Sequence, residues 1–199
     1  MNEKFNIHSN IVLEDDSVML RPLQQSDFEH LLRFSLNQPE LWKFSLVRAD
    51  DACNLQNYMN IALAARGNKS EIPFIVLDKK TKQYAGSTRF YDINYEFKTL
   101  QLGYTWYGKE FHGSGLNKHC KFLLLSYAFE EMGMERVEFR ADNNNKRSIA
   151  AMKSIGCKVD GMLRSNMPKF EGGRRDSIVL SILRTEWISN VKEALQKKL

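Results

Sequence analysis

Phe111-His112-Gly113-Ser114-Gly115-Leu116-Asn117 separates an alternating apolar run, Thr99 to Tyr107, from a segment with a helical apolar stripe, Ser114 to about Met132. Two glycines, two residues apart, thus stand where a helix begins. Lacking Cβ, they reach φ > 0 and let backbone come close to a ligand. The first N–H groups of the helix have no internal partners and point outward with the positive end of its dipole, a setting that suits a pyrophosphate. The turn is not a Walker A loop, because no Gly-Lys-Ser/Thr closes it, and it lacks the full G-x-G-x-x-G of a dinucleotide fingerprint. Taken alone, two such glycines are as compatible with a plain loop. A second motif follows: Asp142-Asn143-Asn144-Asn145-Lys146-Arg147-Ser148, an amphipathic stretch ending at Ile155-Gly156, then Cys157 to Arg164 through Asp160-Gly161-Met162-Leu163.

Outward from this core the pattern alternates between strand and helix. Val18-Met19-Leu20-Arg21 is a short strand stopped by Pro22. Ser26-Asp27-Phe28-Glu29 predicts a helix with Ser26 as N-cap and Glu29 closing a capping box, running through Leu31, Leu32 and Phe34 to Asn37. Asp50 to Arg66 predicts a second helix, with Leu55, Met59, Ala62 and Leu63 in register and Gly67-Asn68 ending it. Pro73 to Leu77, Tyr84 to Tyr91 and Thr99 to Tyr107 form an antiparallel meander, the last with Leu100, Leu102, Tyr104 and Trp106 on one face. The helix after the glycines buries Leu116, Cys120, Leu123, Leu124, Tyr127 and Ala128, with Lys118, Lys121 and Glu131 mostly off that stripe. Glu135 to Arg140 is a strand. A hairpin through Glu171-Gly172-Gly173-Arg174 and a polar helix from about Thr185 close the chain. Residues 1–17 show no periodicity and read as an N-terminal leader, and residues 18–199 as a single domain including the C-terminal helix.

Composition bounds the function without choosing it. A chain of 199 residues, 43% hydrophobic and 27% charged, can bury one substantial core. No apolar run approaches the ~18 residues of a membrane span, and no signal-peptide pattern opens the chain. Three cysteines without ligand spacing suit a reducing cytoplasm. His8, His30, His112 and His119 show no metal-ligand spacing, so no metal is expected. The net charge of +5 is a mild excess that a solvated surface explains, and direct nucleic-acid binding is not expected.

In this order the motifs resemble the GCN5-related N-acetyltransferase (GNAT) superfamily, and within it the ribosomal-protein N-terminal acetyltransferase branch. The resemblance rests on Gly113-Ser114-Gly115-Leu116-Asn117, Asn145-Lys146-Arg147-Ser148 with Ile155-Gly156, Asp160-Gly161-Met162-Leu163-Arg164, Arg175-Asp176 with Glu186-Trp187, and an early Leu20-Arg21-Pro22-Leu23. It implies an α/β (α+β) fold: a mixed, mostly antiparallel central sheet of about seven strands, flanked by helices, with two central strands splayed at a bulge. Gly103 is the expected bulge site, since glycine inside a strand often marks one.

The resemblance also implies roles. Acetyl-CoA is the co-substrate. Backbone at Tyr104, Thr105 and Trp106 faces the thioester, and His112, Gly113, Ser114, Gly115, Leu116, Asn117 and Lys118 receive the pyrophosphate. His112 and Asn117 depart from the superfamily's Q/R-x-x-G-x-G/A pattern, and Lys118 and Lys121 are equally a helix's wet face. Asn145 contacts CoA and caps its helix. Ser148 is the catalytic candidate, a hydroxyl that donates to or orients the leaving thiol, with a purely intrahelical hydrogen bond as the alternative. Met152 stands where many relatives carry a tyrosine acid, and Gln101 where they carry a glutamate base. Trp42, Arg89 and Tyr91, with Phe44 and Arg48, either line the acceptor groove or cover the core.

With no evident base, the acceptor implied is the α-amine of a protein N-terminus, with a ribosomal protein as possible partner. An α-amine of pKa near 8 is on the order of a tenth or more neutral at physiological pH, and a lysine near 10.4 about a thousandth. The alternatives are acetylation of a small amine such as a polyamine or an antibiotic, a non-catalytic CoA-binding module, and an RNA- or ribosome-associated basic protein.

Overall fold

A computed structural model describes residues 11–199. Its elements are β1 (Leu13–Glu14), β2 (Val18–Pro22), α1 (Phe28–Asn37), α2 (Ala52–Gly67), β3 (Ile72–Asp78), β4 (Gln83–Asn94), β5 (Thr99–Tyr107), α3 (Leu116–Ser126), β6 (Arg136–Asp142), α4 (Lys146–Ser154), β7 (Lys158–Pro168), β8 (Arg174–Leu183), α5 (Arg184–Glu186) and α6 (Lys192–Gln196). The strands form one mixed eight-stranded sheet in the order β1-β2-β3-β4-β5-β6-β8-β7. The strand beyond the expected seven is the two-residue β1, which pairs with β2 through Leu13 and Leu20. Of the expected leader, residues 1–10 lie outside the described residues, and residues 11–17 are docked, with Ile11 buried.

Each neighbouring pair is antiparallel except β5 and β6, which the α3 crossover makes parallel. That pairing extends only from Thr99–Arg136 to Gln101–Glu138, after which the two strands part. β4 faces the parting strand with a bulge: Arg89 pairs with Gly103 and Ser87 with Trp106, so Thr88 alone opposes Tyr104 and Thr105. Tyr104 carries the strained φ of 49°, and Gly103 lies one residue before it. At Gly103 a Cβ would lie 3.0 Å from the Tyr91 ring, so its lack of side chain serves close approach rather than the positive φ.

The extra residue reverses the strand's alternation, as a bulge must. The single face expected from Leu100 to Trp106 is therefore broken. The Tyr104 ring lies against Arg89, and Trp106 meets Phe34 of α1, whereas Thr105 reaches Lys121 of α3 and Tyr107 lies beside Cys120.

Two further local expectations change. The N-cap of the first helical turn is Gln24 rather than Ser26: the Asp27 carboxylate, three residues on, accepts from Gln24 N–H at 2.8 Å while paired with Arg21, and it is fully buried. The C-terminal helix is not polar throughout. Trp187, Val191 and Leu195 are buried, and the Trp187 ring stacks on Phe129 at 5.6 Å while its N–H donates to Glu130.

Candidate functional site

Where β5 and β6 part, a cleft of about 790 Å³ runs through the sheet from the glycine turn to the α1/α2 side. At one end Gly113 (φ 76°) and Gly115 (φ 90°) hold the left-handed conformation, and Gly115 is the N-cap of α3. A Cβ on either would meet nothing within 4 Å, so the space before the turn is open to a ligand. Leu116 is buried, leaving its backbone as the part that can face a ligand, whereas Ser114, Asn117 and Lys118 line the cleft.

His112 lies between two groups that fix its tautomer. Its Nε2 is 2.9 Å from the Tyr107 carbonyl, which only accepts, and its Nδ1 is 3.0 Å from the Arg147 guanidinium, which only donates. The ring is therefore neutral with the proton on Nε2, and burial, together with Arg147, holds its pKa below the ordinary value. Through this contact α4 brings the Arg147 cation to the glycine turn. A turn of open backbone N–H groups beside a guanidinium fits the pyrophosphate of a CoA ester.

Along α4, the Asn145 side-chain oxygen accepts from Ser148 N–H at 3.1 Å, capping the helix. Asn145, Ser148 and Met152 all line the cleft. Met152 adds an apolar wall and has no transferable proton. Opposite, Lys121 of α3 also lines the cleft, and it is buried. Cys120 faces the core and burial pushes its thiol up to about 12, which removes it as a nucleophile.

On the α1/α2 side the walls are Tyr91, Asp92, Gln101, Tyr104 and Glu71. Tyr91 and Tyr104 meet edge to face at 5.0 Å, and burial raises both phenol pKa values, so both remain neutral. The Gln101 amide donates to Asp92 at 2.9 Å, so the position without a carboxylate of its own holds one from the adjacent strand. Of the three expected acceptor residues the cleft includes Tyr91 alone. Arg89 lies behind the wall, between the Tyr58 and Tyr104 rings at 4.7 and 4.1 Å and 2.7 Å from Glu71. Burial opposes its charge, but Tyr58 and Glu71 outweigh that and raise its pKa. Trp42 is buried against Trp106 at 5.1 Å and also stands behind the cleft. Phe44 lines the cleft, while Arg48 is held by Asp50 away from it.

Four cleft residues carry no role in the sequence reading or only an alternative one: Glu71, Asp92, Lys121 and Arg147. Lys121 has a visible signal. It precedes Leu124, Leu125 and Ala128 by three, four and seven residues, the spacing of a buried helix face. The other three are placed by strand register and by the His112 contact, which no local pattern reports. Asp160 of β7 is tied to Arg136 of β6 and Ser181 of β8, away from the cleft lining. No helix among the described residues is long and apolar enough to cross a membrane.

Comparison with known proteins agrees with this geometry. A family model described as an acetyltransferase (GNAT) domain matches residues 17–158. An uncharacterized N-acetyltransferase, p20, of Bacillus licheniformis is 24% identical over 182 residues, covering 88% of this chain and 97% of the relative. A Bacillus subtilis protein whose name reads "Putative ribosomal N-acetyltransferase YdaF" is 30% identical over 102 residues, 51% of this chain and 55% of the relative. A crystal structure of an acetyltransferase from T. thermophilus superposes with a TM-score of 0.83 at 34% identity, covering 94% of this chain and 96% of that one.

Proposed function

Because the chain belongs to the GNAT family and is an acetyltransferase, we propose that it moves the acetyl group of acetyl-CoA onto the α-amine of a protein N-terminus. One observation carries this reading: a single cleft joins the glycine turn and Arg147 on the α3/α4 side to the Asp92 carboxylate beside two tyrosine rings on the other. The cradle formed by Gly113 to Leu116 with Arg147 holds the pyrophosphate, and Lys118 adds a cation at its rim. The parted edge of β5 at Tyr104, Thr105 and Trp106 aligns the thioester.

An amine entering from the far side arrives as an ammonium. Asp92 draws it in and, oriented by Gln101, takes its proton. The α-amine needs little help, since its pKa of about 8 leaves a substantial neutral fraction at physiological pH. The likeness to a protein named as a ribosomal N-acetyltransferase supports a protein acceptor, with a ribosomal protein as the candidate. The Asp92 carboxylate also suits an amine of a small polycation, which makes a polyamine the second reading.

One comparison separates the two readings. At equal pH, kcat/KM is measured for a peptide with a free small first residue, the same peptide N-blocked with an internal lysine, and spermidine. The free peptide is expected to lead by about tenfold or more, because far more of its amine is neutral. A tenfold lead for spermidine or the blocked peptide would overturn the N-terminal reading.

Ser148, on the cleft wall, orients the sulfur through its hydroxyl. Ser148→Ala is expected to lower kcat by about tenfold, near the free energy of one well-placed hydrogen bond. Acetyl-CoA affinity should be almost unchanged. Wild-type kcat in that variant would confine Ser148 to its helix.

A further inference from the structure

Lys121 is a cleft residue whose chemistry the preceding reading leaves unused. Its side chain is only 5% exposed, and it lines the cleft beside the bulge. Its ammonium donates to Thr105 Oγ1 at 2.8 Å and lies 3.5 Å from Thr88 Oγ1, and those hydroxyls are 2.7 Å apart. The Phe139 ring of β6 closes the far side, with its centroid 5.9 Å from Nζ. The titratable groups around it are thiols and a phenol. Cys120 sits on its own helix, Cys157 follows α4, and Tyr107 of β5 lies beside Cys120. Burial pushes both thiols up to about 12 and raises the phenol, so none supplies an anion at neutral pH. No carboxylate among the described residues pairs with Lys121.

A buried cation normally has a partner, because leaving it unpaired is costly. Here the arrangement supplies hydroxyls to hold the ammonium and an open cleft in front of it, but no charge to neutralise it. Acetyl transfer creates an anion in that cleft: the thioester is neutral, and the departing CoA sulfur carries a negative charge. A cation fixed before that charge develops acts on the transition state rather than the ground state.

We propose that Lys121 is the acid of the reaction, giving its ammonium proton to the departing CoA sulfur. The proposal rests on the acetyl-transfer reading above. As the acceptor nitrogen bonds to the carbonyl carbon, the C–S bond breaks with its electron pair going to sulfur. Nζ gives sulfur a proton, and the proton shed by the acceptor nitrogen restores the ammonium through solvent in the cleft. The role falls to Lys121 because Met152 has no proton to give, a serine hydroxyl is too weak an acid, and burial raises the Tyr91, Tyr104 and Tyr107 phenols above their ordinary range, making them weaker acids. Burial lowers Lys121 to about 8, close to the ~8.5 of an ordinary thiol, so the transfer is nearly balanced in energy.

The test reads the sulfur directly. CoA is bound to the full chain, and its thiolate is titrated by ultraviolet absorbance, with desulfo-CoA correcting for the protein. The thiol of bound CoA is expected to titrate about one pH unit or more lower in wild type than in Lys121→Met. In kinetics, Lys121→Met should lose at least tenfold in kcat with the KM for acetyl-CoA little changed. The alkaline fall in kcat should disappear, since an acid near 8 is spent above that pH. Lys121→Arg keeps the cation but holds its proton, so it should retain the lowered thiol titration and still lose kcat. If the methionine variant fails to fold, the charge-free Lys121→Gln takes its place in each readout. Equal thiol titrations in wild type and either folded Lys121→Met or a charge-free Lys121→Gln would overturn the proposal. Failure of wild type to bind CoA at all would instead overturn the acetyl-transfer reading.

Discussion

Gly115→Val is expected to abolish the rise in melting temperature that acetyl-CoA gives the wild-type protein, while the unliganded variant still folds. At a ligand concentration about a hundred times Kd, binding stabilises a protein by ~2.7 kcal/mol. For a chain of this size that is a shift of roughly 5–10 °C. Gly115 sits at φ 90°, ψ −20°, where a β-branched residue is strained by about 1–3 kcal/mol. A folded protein with several kcal/mol in hand tolerates that strain. Binding does not, because the added side chain enters the open space before the turn, where the ligand's phosphates need to reach backbone N–H groups. The loss in affinity should be on the order of 10²-fold or more, the equivalent of about 3 kcal/mol. Gly133→Val is the control. It too has a positive φ (68°) with open space around it, and it is not among the residues lining the cleft. Its acetyl-CoA shift should equal that of wild type. A full shift in Gly115→Val would remove the turn from the binding site.

Lys121→Met, which should slow the enzyme, is expected to make it more stable. The folded protein lowers the lysine pKa from an ordinary 10.5 to about 8 through burial. Between those values the folded state binds fewer protons than the unfolded state, so stability rises with pH across that window. Below about 8 the full cost of burying the charge is present, on the order of 3 kcal/mol. Methionine fills much of the same volume without that cost. The hydrogen bond to Thr105 is lost, at about 1 kcal/mol, but Thr105 keeps Thr88 as a partner at 2.7 Å. The net gain is about 2 kcal/mol, a rise in melting temperature of roughly 4–8 °C at neutral pH. Thermal melts at pH 7 and pH 10 check the sign: the advantage of the variant should shrink at the higher pH, where the lysine is already neutral. A variant no more stable than wild type at pH 7, with a difference that does not move with pH, would show that the ammonium is not strained. A cost in stability kept at one cleft residue fits a group retained for activity.

How much was legible in the chain itself differs between the two sides of the cleft. The α3/α4 side is built from local signals. Two glycines before an amphipathic helix specify a left-handed turn within a few residues, and Asn145 caps the helix carrying Ser148 through a three-residue hydrogen bond. The α1/α2 side is built from pairs far apart in sequence: Gln101 with Asp92, Arg89 with Glu71, Tyr91 with Tyr104. Arg89 reads equally well as a substrate ligand or as structure until β4 is seen to carry it beneath Tyr104.

Which segments are helices and strands, where the left-handed glycine turn forms and how α4 is capped were all readable from the order of residues, because these features follow from interactions within a few positions. The rest waited on the folded arrangement. The bulge at Tyr104 depends on how β5 pairs with β4, and it sets which side chains of β5 meet α3 and which meet α1 and α2. The unpaired burial of Lys121 depends on Thr88, Thr105 and Phe139 closing around it from three different strands. Solvation and charge pairing are set by whatever neighbours the fold brings within a few ångströms, and no periodicity along the chain encodes that distance.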